Sequence, residues 1–194
     1  MARTPSTMPE LGMHAPSFSL PDAVSSRTVH SADFAGSPAF LVMFICNHCP
    51  FVKHVRDQLT VIGREYQPRG VAVIAISSND VATHPDDAPD KMAREAAEAG
   101  YTFPYLYDES QEVAKAYQAA CTPDFFLFDR NRRLYYRGQL DPSRPSKYLD
   151  GRTIIADGRD LRNALESLLE GRAAPQPQLP SLGCNIKWKP GNEP

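Results

Sequence analysis

"AFLVMFICNHCPFVKHVRDQLTVIGREY", residues 39–66, reads as a buried strand, a junction carrying two thiols, and a helix. Residues 39–45 are continuously apolar, the pattern of a strand covered on both faces. Phe51, Val55, Leu59, Ile62 and Tyr66 then recur at three- or four-residue spacing, which predicts an amphipathic helix. Gly70 closes the connection, and "VAVIAI", residues 71–76, is a second buried strand. Strand, helix and strand in this order form a crossover with parallel pairing.

Working outward, "SSNDVATHPDDAPD" (77–90) is a long polar stretch, and no Asp or Glu pair in the chain has a spacing that assigns it a role. Helices are predicted over 91–99, 111–117 and 160–169, and a short strand over 103–107. "DFFLF" (124–128) and "RLYYR" (133–137) form a hairpin. Upstream, 17–20 and 28–30 read as two short strands flanking a turn at 22–27. The sum is an α/β fold of three layers, a mixed central sheet flanked by helices, with an N-terminal hairpin extension. The domain spans 12–171. Residues 1–11 and 172–194, polar and Pro-rich, read as an arm and a tail.

Composition narrows the function. The net charge is -2 and no basic stripe is present, so nucleic acid is not expected as a partner. The longest apolar run is too short to span a membrane. The N-terminus lacks the apolar core of a secretory signal, and the expectation is a cytoplasmic protein whose thiols are mostly reduced. Four cysteines in 194 residues do not make a disulfide scaffold, so a close pair points to redox catalysis or metal binding.

"CNHC" (46–49), at the end of a buried strand and opening a helix, resembles the redox motif of the thioredoxin superfamily. "CTPDFFLFD" (121–129) resembles that superfamily's Thr-Pro segment, whose proline is cis and faces the cysteines. "APSFSLPD" (15–22), "FAGSPAFLVMFI" (34–45) and "FPYLYDESQEVAKAY" (103–117) are similar to the peroxiredoxin-like branch, the AhpC/TSA and TlpA-type redoxins. "LGCNIKWKPGNEP" (182–194) resembles the ending of an uncharacterised subgroup of that branch. The resemblance implies a thioredoxin-like fold and a thiol–disulfide oxidoreductase that needs no cofactor. Its partners would be a protein or small-molecule disulfide and a reducing system, thioredoxin or a low-molecular-weight thiol.

The chemistry follows from thiolate reactivity. Cys46 is expected at the helix N-terminus, where unpaired N–H groups favour a thiolate, with Cys49 one turn later as the resolving thiol. Their Cα atoms would lie roughly 5 to 6 Å apart, within disulfide range. His48 would add positive charge beside the thiolate. The backbone of Thr122, before Pro123, would pair with an extended partner beside Cys46.

Two other readings compete. A peroxiredoxin-type peroxidase would place its peroxidatic cysteine in P-x-x-x-T-x-x-C, but with Cys46 in that role Met43 and Ala39 stand at the Thr and Pro positions. A non-catalytic redox sensor or metal-binding module would draw ligands from Cys46, Cys49, Cys121 and His48 or His54. No second close ligand pair is present, and no metal is assigned.

Cys121 is expected to be near the site as a small reduced hydrophobe, with a further redox role open. Cys184, in the tail with Lys187 and Lys189, is either a further redox thiol made reactive by a nearby lysine or a bystander; it is expected to be unbridged unless Trp188 anchors the tail, although the extended tail could reach the site. Lys53 and His54 are expected on a solvated helix face, and His14, His30 and His84 in solvent.

Overall fold

The computed structural model describes residues 3–148 and 154–194. In chain order the elements are β1 (Arg3–Pro5), β2 (Ser19–Pro21), β3 (Thr28–His30), β4 (Ala39–Phe44), α1 (Pro50–Tyr66), β5 (Val71–Ser77) and α2 (Pro89–Ala99). There follow β6 (Tyr105–Tyr107), α3 (Glu112–Ala116), β7 (Cys121–Thr122), β8 (Asp124–Asp129), β9 (Leu134–Gly138), α4 (Arg159–Leu169) and β10 (Leu182–Asn185).

The central sheet has the order β6-β5-β4-β8-β9. β4 lies in the middle, parallel to β5 and antiparallel to β8, and every one of its residues is buried. That is why its sequence is continuously apolar rather than alternating. Ala39, Leu41 and Met43 pack toward α1, α2 and α4. Phe40, Val42 and Phe44 pack toward α3 and the β2–β3 hairpin. The result is a three-layer, thioredoxin-like α/β fold. No helix among the described residues is long and apolar enough to cross a membrane.

The chain ends depart from the expectation of a loose arm and tail. β10 pairs antiparallel with β1 on one edge and with β7 on the other. Ser6 and Ser181 exchange hydrogen bonds beside this ladder, the Ser6 amide to the Ser181 carbonyl at 2.9 Å and the Ser181 amide to Ser6 Oγ at 3.0 Å. Trp188 packs on the α3 side of the core. Strands of three or four residues with Pro and Gly at their borders carry no periodicity. Their partners make them strands, and the partners lie far away in sequence.

The tail approaches the Thr122–Pro123 turn closely enough to need glycine. A Cβ at Gly183 would sit 2.0 Å from the Thr122 carbonyl oxygen.

Candidate active site

β4 ends at Phe44, and a five-residue junction carries the chain to α1 at Pro50. The junction contains both cysteines. Cys49, not Cys46, is the N-cap residue of α1, followed by Pro50 in the first turn. Cys46 therefore lies upstream of the helix rather than at its N-terminus. The reason lies in a distant segment. Asn47 and His48 turn away from helical geometry because a carboxylate from another loop holds their amides: Asp87 Oδ1 accepts both backbone N–H groups, at 2.8 and 3.2 Å.

The surroundings push the two thiols in opposite directions. Burial raises the Cys46 thiol, its hydrogen bond to Cys49 and the charge of Asp87 raise it further, and the hydroxyl of Thr122 offsets this only in part. Burial alone would also raise Cys49. Hydrogen bonds from Cys184, Cys46 and the Val52 amide outweigh it, so Cys49 falls below the usual thiol range. The more acidic sulfur is the one on the helix N-terminus. The expected position of Cys46 at the helix N-terminus is thereby corrected: it precedes the N-cap by three residues.

The Thr122–Pro123 bond is cis. Thr122 touches both sulfurs: its Oγ1 lies 3.3 Å from Cys46 Sγ, and its carbonyl oxygen 3.2 Å from Cys49 Sγ, which donates to it only when protonated. His48 Nδ1 lies 3.8 Å from Cys46 Sγ but only 2.6 Å from Asp87 Oδ2. The carboxylate thus claims the ring nitrogen nearest the thiol, and the imidazole is not a lone positive neighbour of Cys46. The donor atoms of Cys46, His48 and Asp87 fall within 4.8 Å of one another, a grouping that could also hold a metal ion. Both Asp87 oxygens are already hydrogen-bonded, Oδ2 to His48 and to Asn79 Nδ2 at 2.8 Å.

Asp87 and Asn79 were not legible as site residues. They lie in the polar stretch 77–90, and nothing local in that stretch marks them. Asn79 Oδ1 accepts the Lys187 amide at 2.8 Å, so one side chain links the tail to the Asp87 carboxylate. His84, expected in solvent, is half-buried and packs against His48 with ring centroids 4.8 Å apart and planes tilted by 31°. His54 is also half-buried, in a crevice with Pro123, Asp141 and Arg144, while Lys53 stays exposed. His14 and His30 are exposed, as expected.

All four cysteines converge. Cys121 is buried on β7, its Sγ 3.7 Å from the Pro123 carbonyl, and burial together with the charge of Asp124 raises its thiol. Cys184 Sγ lies 2.8 Å from Cys49 Sγ. Its hydrogen bond to Cys49 and its burial raise it, and the nearby charge of Lys187 does not offset them. No disulfide joins any of the four.

Burial alone would raise the Asp87 carboxyl. The hydrogen bonds from His48 and Asn79, the attraction of the imidazole and the Asn47 amide instead hold it below the ordinary carboxylate range. A depressed folded-state value means that its contribution to stability is complete above the unfolded value, about 3.9, and is lost as pH falls through the folded value. Acid unfolding should accordingly be less steep below about pH 4 in Asp87→Asn than in the unaltered protein. Equal slopes would show that Asp87 is not charged in the fold.

Residues 11–137 match the sequence model of the AhpC/TSA family. A curated relative, the thiol-disulfide oxidoreductase ResA of Geobacillus thermodenitrificans (strain NG80-2), is 26% identical over 133 residues, 68% of this chain and 70% of its own length. Among solved structures, an uncharacterised conserved protein of Geobacillus kaustophilus is 51% identical, with TM-score 0.94 over 98% of both chains. A thiol:disulfide interchange protein from Bacteroides sp. shares the fold, with TM-score 0.63 at 18% identity over 84% of this chain and 91% of its own. The match over 11–137 takes in the β4–α1 junction and the Thr122–Pro123 turn that faces it, and the chain belongs to the AhpC/TSA family.

Proposed function

We propose that the protein is a thiol–disulfide oxidoreductase whose working couple is Cys46 and Cys49. The observation that carries this is the meeting of both sulfurs on one residue of a separate segment, Thr122. The resemblance of the chain to a named thiol-disulfide oxidoreductase supports it.

In the reduced site Cys49 holds the charge and Cys46 the proton. When Cys46 attacks a substrate disulfide, its proton passes to Cys49, a new S–S bond forms on Cys46, and the first substrate sulfur leaves as thiolate. That thiolate takes the proton back from Cys49. Cys49 then attacks Cys46 Sγ, closing the Cys46–Cys49 disulfide and releasing the second substrate sulfur. The substrate gains two electrons and the protein loses two. Asp87 holds the Cys46–Cys49 turn and orients His48, so both are positioning residues. A cytoplasmic setting would supply the thioredoxin or low-molecular-weight thiol that reduces the couple again. The test is reduction of a low-molecular-weight disulfide with dithiothreitol as electron source. Catalysis well above the dithiothreitol background is expected, and turnover no faster than that background would refute the assignment.

Peroxide turnover should be weak. Met43 and Ala39 lie in β4, where they offer no side-chain donor to a peroxide. Stopped-flow mixing with hydrogen peroxide should give the slow oxidation of an ordinary thiol. A rate in the range of dedicated peroxidases would make the protein an antioxidant enzyme instead.

A further inference from the structure

We infer that Cys184 is a third redox-active thiol of this site, and that a disulfide formed between Cys46 and Cys49 passes to Cys49 and Cys184. The inference rests on the oxidoreductase reading above and extends it to a residue outside the Cys-x-x-Cys.

The first ground is distance. Cys184 Sγ is 2.8 Å from Cys49 Sγ, within about 1 Å of a bonded pair. The second is that this placement is built rather than incidental. Cys184 stands opposite Arg3 of β1 and opposite Thr122 of β7, so ladders on both edges fix its position. Beyond it, the Lys187 amide donates to Asn79, the Lys187 carbonyl accepts from the Asp80 amide at 2.8 Å, and Gln111 Nε2 donates to the same carbonyl at 2.8 Å. Asn79 in turn holds Asp87, which holds the Cys46–Cys49 turn. The third ground is what β10 covers. It lies as an added strand on Thr122, the residue that touches both site sulfurs, where an extended polypeptide would otherwise pair. The chain presents its own cysteine to Cys49 in that place.

The step is an exchange with no net oxidation. Cys184 Sγ attacks Cys49 Sγ, the Cys49–Cys184 bond forms, and the Cys46–Cys49 bond breaks. Cys46 leaves as a thiolate and takes the proton that Cys184 gives up. In the reduced protein the charge on Cys49 opposes ionisation of Cys184; once Cys49 is in a disulfide, that charge is gone. The oxidising equivalents then rest under the tail, and Cys46 is a thiol again.

The experiment is disulfide mapping after equilibration in a glutathione redox buffer, acid quenching, alkylation and trypsin digestion. Cleavage leaves Cys46 and Cys49 together on peptide 28–53, Cys121 on 116–130 and Cys184 on 173–187. Cys46→Ser should lose two thiols per chain and join 28–53 to 173–187. The unaltered protein should show this link together with the bond internal to 28–53. Cys184→Ser should show the internal bond alone, and Cys184→Ala serves if the serine variant does not fold. A Cys46→Ser protein that forms only glutathione adducts, with no link to 173–187, would overturn the inference. If the internal bond fails to form in the folded Cys184 variants, the underlying couple is wrong, and the transfer step falls with it even where the link to 173–187 is found.

Discussion

Disulfide turnover falls by roughly a thousandfold or more in Cys46→Ser, while Cys49→Ser accumulates a mixed disulfide on Cys46: these are the expected results for the two junction variants. A serine hydroxyl at position 46 cannot form the S–S bond that begins the exchange. At position 49 it fills nearly the same space and can still donate to the Thr122 carbonyl, so the fold is retained, but it cannot displace substrate from Cys46. Mass spectrometry of the quenched reaction reads the adduct directly. Wild-type turnover in Cys46→Ser would remove Cys46 from the mechanism and leave Cys49, the more acidic sulfur, as the attacking group. A link between peptides 28–53 and 173–187 in Cys49→Ser would show Cys184 resolving in its place.

Gly183→Ala should release the tail. The new methyl group would lie 2.0 Å from the Thr122 carbonyl oxygen, 2.6 Å from its carbon and 3.2 Å from the Pro123 nitrogen. All three are backbone atoms of the turn that faces the cysteines, so no rotamer change relieves the contact. The cost sits at the upper end for overpacking, about 3 kcal/mol, and undocking β10 avoids it. In the native protein Cys184 is 1% exposed and Trp188 is packed on the core, so thiol labelling of folded protein should be slow. In Gly183→Ala, Cys184 should label rapidly and the Trp188 emission should shift toward that of solvent-exposed indole. Unchanged labelling and an unchanged Tm would mean that β10 is not seated on Thr122 as described.

The central fold was legible because burial leaves a signature in the chain. β4 and β5, covered on both faces, are unbroken apolar runs, and α1 repeats its apolar residues at helical spacing. The Cys46–Cys49 pair was legible from its strand–helix context, and the Thr122–Pro123 turn from its resemblance to the Thr-Pro segment of the thioredoxin superfamily. What escaped depends on contacts between distant segments. β1 and β10 are short and without periodicity, and become strands only by pairing with each other and with β7. The start of α1 at Pro50 is set by Asp87, about forty residues away and without any local mark of its role. The convergence of Cys184 on Cys49 spans most of the chain, and a Pro-rich tail gives no hint that it contains an ordered strand.

The most direct measurement of the central claim is a redox titration in glutathione buffers with mass-spectrometric mapping of all four thiols. The account predicts one two-electron transition in which peptide 28–53 loses thiols, either as its internal Cys46–Cys49 bond or joined to 173–187, while Cys121 on 116–130 stays reduced. Peptide 28–53 keeping both thiols across the range in which the protein turns over disulfides would contradict it.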